Sequence, residues 1–160
     1  MTAVRRLGRL LKTDPAVVLL APEALVRLFL ARIQLLFPFE RTAPRLGVKS
    51  AETASTAPVD AVPRIRQVTR AIRIVSRYTP WKSTCMVRAV AGLKMLKRRG
   101  IGSTLYLGVS KDRAGRMIAH AWLRSGEHYV SGDDAMQGFV VVEKFASQPG
   151  LYEAQSSEVS

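Results

Sequence analysis

The chain has 160 residues, 48% hydrophobic and 7% aromatic, which is too apolar for a disordered polymer and long enough for one cored domain plus an appendage. With 25 Lys and Arg against 12 Asp and Glu, the formal charge is +13, so the surface field favours anionic partners such as an acidic peptide, a phosphate, RNA or a lipid headgroup. A single cysteine, Cys85, excludes an intrachain disulfide and any multi-cysteine zinc module.

Met1 to Leu11 mixes basic and apolar residues, but Lys12, Asp14 and Pro15 follow without a small-residue cleavage site, so no signal peptide is expected. From Pro15 to Phe39 the chain is rich in Leu, Val and Phe. Glu23, Arg27 and Arg32 interrupt it before any run reaches the roughly 18 uncharged residues of a spanning helix, and a cytoplasmic protein is expected. Leu25, Leu28, Phe29, Leu35 and Leu36 fall at helical spacing, which predicts an amphipathic helix from about Pro22 to Phe37, stopped by Pro38. Its apolar face suits packing on the core or on a partner, and peripheral membrane contact is the other use of such a face. Residues 1–39 are therefore read as an N-terminal helical segment.

Glu40 to Pro63 collects Pro44, Gly47, Ser50, Thr53, Ser55, Thr56, Pro58 and Pro63 with little periodicity, the composition of a linker over 40–63. The alternative is a loop wrapped on the core and pinned by Leu46 and Val48. Arg64 to Tyr78 returns to a helical pattern, with Ile65, Val68, Ile72 and Val75 on one side and Arg66, Arg70, Arg73 and Arg77 mostly on the other. Thr79-Pro80 ends it, because the residue before proline disfavours helical backbone. Ser83 or Thr84 then offers an N-cap for a helix whose apolar stripe is Met86, Ala89, Val90, Leu93 and Leu96. Lys97, Arg98 and Arg99 load its last turn and Gly100 supplies the C-terminal cap.

Ser103 to Val109 alternates as a half-buried strand, and Lys111 to Gly115 is a turn. Arg116 to Arg124, Glu127 to Ser131 and Gly138 to Phe145 read as three more strands, with Ser125-Gly126 a tight turn. Helices first and an antiparallel sheet afterwards predict an α+β catalytic core over 64–147, followed by a frayed polar tail over 148–160.

Cys85 lies in the first turn of the strongest helix, where unpaired N–H groups and the positive dipole end favour a thiolate; the ordinary alternative is a buried structural cysteine. A thiolate that attacks an amide needs a base to reprotonate the departing amine. His120 and His128 are the two candidates. His120, in the apolar run Met117 to Leu123, is either a core histidine or a positioned base, while His128 beside Glu127 is expected in solvent. Across a short hairpin, the position opposite His120 falls between about Ser131 and Asp133, which makes Asp133 the nearest orienting carboxylate and Asp134 the next. Zinc on His120, His128 and Asp133 is the rival chemistry, but HExxH and His-x-His spacings are absent. No phosphate-binding glycine motif occurs, and no cofactor or metal is expected.

The run Pro80-Trp81-Lys82-Ser83-Thr84-Cys85-Met86-Val87-Arg88-Ala89, followed by Leu96 to Ile101, Leu105 to Val109 and Ala119-His120-Ala121-Trp122-Leu123, resembles the leader peptidases of lasso-peptide biosynthesis. Those enzymes are cysteine peptidases with a transglutaminase-like, papain-related core, and the resemblance covers Ile65 to Phe145 as well as the N-terminal helical segment. It implies that Cys85 attacks the scissile carbonyl, that His120 moves the proton, that Asp133 orients His120, and that a thioester is then hydrolysed. It also implies three partners: a precursor leader peptide, a separate leader-recognition protein and an ATP-dependent macrolactam cyclase. Two other functions compete with it. The same residues could pass the thioester to an amine, as an acyltransferase does, or the chain could be a basic adaptor for RNA or an acidic partner. Against the adaptor, aromatics are not interleaved with the basic helix and no specific nucleic-acid signature occurs.

Overall fold

The computed structural model describes Gly8 and residues 14–148; the expectations for the first eleven residues and for the tail beyond Gln148 lie outside the described residues, Gly8 apart. Helix α1, Pro15–Gln34, starts earlier than hydropathy spacing predicts. Asp14 caps it by accepting from Ala16 N at 3.0 Å, and Pro15 occupies the first turn, where its missing N–H costs nothing. The inward face also differs from the predicted leucine stripe. Val17, Ala24, Leu28 and Ala31 are buried, whereas Leu25, Phe29 and Leu36 are exposed. Small alanines let α1 approach its neighbours closely, so the contact face follows side-chain size rather than maximal hydropathy.

A short helix α2, Phe39–Thr42, and a 3-10 turn, Ala43–Arg45, lead into a two-residue strand β1, Val48–Lys49. Strand β1 pairs with the last strand of the sheet, and Leu46 beside it is fully buried. Thr53 then joins the buried hydroxyl of Thr104, with N to Oγ1 and Oγ to Oγ contacts of 2.9 Å each. The proline-rich connector is thus wrapped on the core.

Helix α3, Val62–Val75, buries Ile65, Val68, Ile72 and Val75, the face its periodicity predicts. Helix α4, Cys85–Arg98, is capped by Thr84 and buries Ala89, Val90, Leu93 and Leu96, each large side chain contributing about 1.5–3 kcal/mol. Met86, on the same predicted stripe, is only half-buried. Arg99 after α4 clasps Glu23 of α1 through two contacts of 3.0 and 2.6 Å, and this hydrogen-bonded guanidinium holds the Glu23 carboxyl below its ordinary range.

The sheet is antiparallel in the order β1-β5-β2-β3-β4, with β2 Ser103–Lys111, β3 Met117–Ser125, β4 His128–Ser131 and β5 Val140–Ser147. Helices on one side of an antiparallel sheet make the fold α+β. Leu105, Ala121, Leu123 and Phe145 face the helices. Gly92 of α4 permits the contact, since a Cβ there would stand 2.9 Å from Leu123 Cδ2.

Candidate active site

The segment before α4 is held by one hydroxyl. Thr79 Oγ1 lies 2.8 Å from Ser83 Oγ, 3.1 Å from Ser76 O and 3.0 Å from Trp81 O, so its single proton serves one carbonyl while it accepts from Ser83. Trp81 packs edge-on to Phe29 of α1 at 5.5 Å between ring centroids, and its indole N–H is buried without a partner among the described residues. This braced turn delivers Cys85 as the first residue of α4.

At that helix start, Thr84 Oγ1 accepts from Val87 N at 3.4 Å and Thr84 O accepts from Arg88 N at 3.0 Å. The backbone N–H groups of Cys85 and Met86 have no partner among the described residues. Two unpaired donors at the positive end of a helix are what a developing oxyanion requires. The Cys85 thiol is half-buried, packs on the edge of the core and makes no hydrogen bond among the described residues.

His120 stands on β3 opposite Gly108, on the face of the sheet that also carries Tyr106 and Trp122. The three rings form a row: Tyr106 stacks on Trp122 at 5.6 Å and Trp122 on His120 at 5.9 Å, while Phe139 closes the far side of the imidazole at 5.3 Å. Gly108 makes room for the row, because a Cβ there would meet the indole at 2.8 Å and Phe139 Cβ at 3.0 Å. His120 Nε2 lies 2.7 Å from the carbonyl oxygen of Gly132. Bonded so, Nε2 carries the proton and Nδ1 is left with its lone pair free.

The position expected for Asp133 is therefore taken by backbone. Gly132, at φ 81°, turns its carbonyl toward the imidazole, and Asp133 and Asp134 follow in an exposed 3-10 turn with no hydrogen bond to His120. A register shift between Leu123 and Arg124 offsets β4 from β3, and Gly132 falls within the span Ser131 to Asp133 expected opposite His120. Two signals for the Gly132 role were present in the sequence: a glycine immediately before an Asp pair, and its distance from His120. What no sequence pattern shows is that a main-chain oxygen, rather than a side chain, faces the ring.

His128 is half-buried rather than in solvent, 3.4 Å from Glu127 Oε1 and in no contact with His120. Among the described residues no three His, Cys, Asp or Glu groups cluster at metal-binding distance.

Cys85 and His120 are not hydrogen-bonded to each other: alternation along β3 puts His120 on the face of the strand opposite to Ala121 and Leu123, which pack toward α4, although both residues lie toward the same end of the sheet. Gly92 of α4 sits over Leu123, and α4 runs on to the start of β2, so its N-terminus points toward the start of β3. The seven residues from Gly92 back to Cys85 rise about 10 Å, the span of about three strand residues, which reaches the level of His120. A cavity of about 280 Å³ is lined by Arg88, one helical turn after Cys85, and by Gly132, whose carbonyl oxygen meets His120.

A cysteine opens a helix packed on an antiparallel sheet, and a histidine is fixed at the fourth residue of strand β3. The family model described as the transglutaminase-like superfamily matches residues 25–144, from within α1 to β5. The chain belongs to the transglutaminase-like superfamily. Comparison with curated proteins and with solved structures gave no match. Membership of the transglutaminase-like superfamily is consistent with cysteine peptidase or acyltransferase chemistry, both of which run through a thioester. The match also takes in the second half of α1 and all of the connector, two segments that the structure packs on the core.

Proposed function

We propose that this transglutaminase-like protein is a cysteine peptidase that removes the leader from a ribosomally made lasso-peptide precursor. The observation that carries the peptidase part is the fixed tautomer of His120: with Nε2 bonded to Gly132 O at 2.7 Å, Nδ1 is the basic nitrogen. Cys85 Sγ gives its proton to Nδ1 and attacks the scissile carbonyl, and the N–H groups of Cys85 and Met86 receive the oxyanion. The imidazolium returns the proton to the departing amine. Water, deprotonated by the same nitrogen, then hydrolyses the thioester and restores the thiol. Because His120 stands on the face of β3 away from α4, this proton transfer requires that Cys85 and His120 be brought together when substrate binds.

The lasso-precursor part rests on the ordered sequence blocks around Cys85 and His120. On this reading a separate leader-recognition protein presents the leader, and an ATP-dependent macrolactam cyclase takes the liberated amino terminus. The competing outcome of the same chemistry is transfer of the acyl group to an amine. Incubation with a cognate precursor and recognition protein, followed by mass spectrometry, separates them: hydrolysis leaves a leader carboxylic acid, and transfer leaves a leader amide. Cys85→Ala and His120→Ala should each abolish the reaction with circular dichroism unchanged. Normal cleavage by either variant would overturn the assignment.

A further inference from the structure

The cavity beside the Cys85 helix turn is lined by three arginines, Arg73 from α3, Arg77 from the turn after it and Arg88 from α4, together with Ser131, Asp133 and Asp134. None of the three guanidinium groups is ion-paired among the described residues, although two carboxylates stand in the same wall. Two of the lining residues also hold buried polar atoms with no hydrogen-bond partner among the described residues: Arg88 Nε and Ser131 Oγ. Ser131 is only 7% exposed. A buried donor left without an acceptor is desolvated with nothing to offset it, so two around one cavity point to an acceptor that arrives from outside the chain.

We infer that this cavity is a specificity pocket for a carboxylate side chain, Asp or Glu, of the peptide acylating Cys85, an inference that rests on the thiol-peptidase reading above. A volume of about 280 Å³ lies below the usual range for cofactor and drug-sized ligands and suits a side chain. Three positive groups against Asp133 and Asp134 leave the wall with a net charge of about +1, which matches a monoanionic carboxylate better than a phosphate dianion or a nucleic-acid backbone. Carboxylate oxygens would accept from Arg88 Nε–H and Ser131 O–H, with Arg73 and Arg77 at the mouth supplying attraction. The pocket is registered to the chemistry at both ends. Arg88 is one helical turn beyond Cys85, and Gly132 in its wall is the residue that holds His120.

The test uses electrophilic epoxysuccinyl peptides that extend to both sides of the thiol, with Asp or Asn placed at each position in turn, and measures Cys85 labelling by mass spectrometry. At one position the Asp probe should label at least about tenfold faster than its Asn twin, the size of one charge-assisted hydrogen bond, and added salt should shrink the ratio. The ratio should fall to about one in Arg73→Gln/Arg77→Gln, fall in Ser131→Ala, and persist in the control Arg113→Gln. Equal rates for Asp and Asn at every position, or a preference untouched by these pocket variants, would overturn the pocket alone. Labelling of Cys85 by iodoacetamide but by none of the peptides would overturn the thiol-peptidase reading and this inference with it.

Discussion

At the scale of single residues, the site turns on which atom orients His120. A carboxylate in that place stabilises the imidazolium, and its loss in triad enzymes costs about four powers of ten in rate. Here the acceptor is the Gly132 carbonyl, a dipole that side-chain substitution cannot remove. Asp133→Asn should therefore lower turnover by less than about threefold, whereas a loss of several powers of ten would assign the orienting role to Asp133. Gly132 is the sensitive position. Its φ of 81° and a Cβ that would stand 2.4 Å from Ala121 O leave no place for a side chain. Gly132→Ala should destabilise the fold by about 1–3 kcal/mol and depress turnover together, read from a denaturant curve and the cleavage assay.

Among the elements, α1 shows how packing overrides hydropathy. Ala24 and Ala31 are buried against α3 and α4 while Leu25 and Phe29 point outward, because a close helix contact selects small side chains. Enlarging that face should be costly: Ala31→Leu is expected to lose about 1–3 kcal/mol in urea unfolding, while Leu19→Ala, on the exposed side, should change stability by less than about 0.5 kcal/mol. Equal effects would mean that α1 does not pack as described. The connector follows the same logic. Its own composition carries no periodic signal, yet Arg124 donates to Ala54 O and Thr53 O at 3.3 Å each and holds it on the sheet.

For the whole molecule, the charge of +13 is unevenly tolerated. Burial, reinforced by the neighbouring charges of Lys97, Arg27 and Arg45, brings Lys94 down from 10.5 to about 8. A lysine depressed on folding is penalised while both states are protonated, and the penalty is relieved where the unfolded chain alone holds the proton. Stability should thus rise with pH between about 8 and 10.5 by a component that Lys94→Met removes, seen by comparing the two pH profiles of urea unfolding. Parallel profiles would contradict this. No described helix is long and apolar enough to cross a membrane, so the exposed apolar side chains of α1 lie on a helix that does not span.

Much of this protein was legible from local pattern. The amphipathic period of α3, the Thr84 cap and Gly100 stop of α4, and the alternation of β2 are nearest-neighbour effects, and each element forms within a few residues of its expected limits. Asp14-Pro15 is an equally local start signal for α1. The positions of Cys85 at a helix start and His120 on a strand are likewise properties of short segments. Tertiary structure alone decided three things: which face of α1 is buried, where the connector lies, and that Gly132 O meets His120. Each depends on residues 12 or more apart in sequence, brought together by close packing, by a paired edge strand and by a bulge that no periodicity encodes.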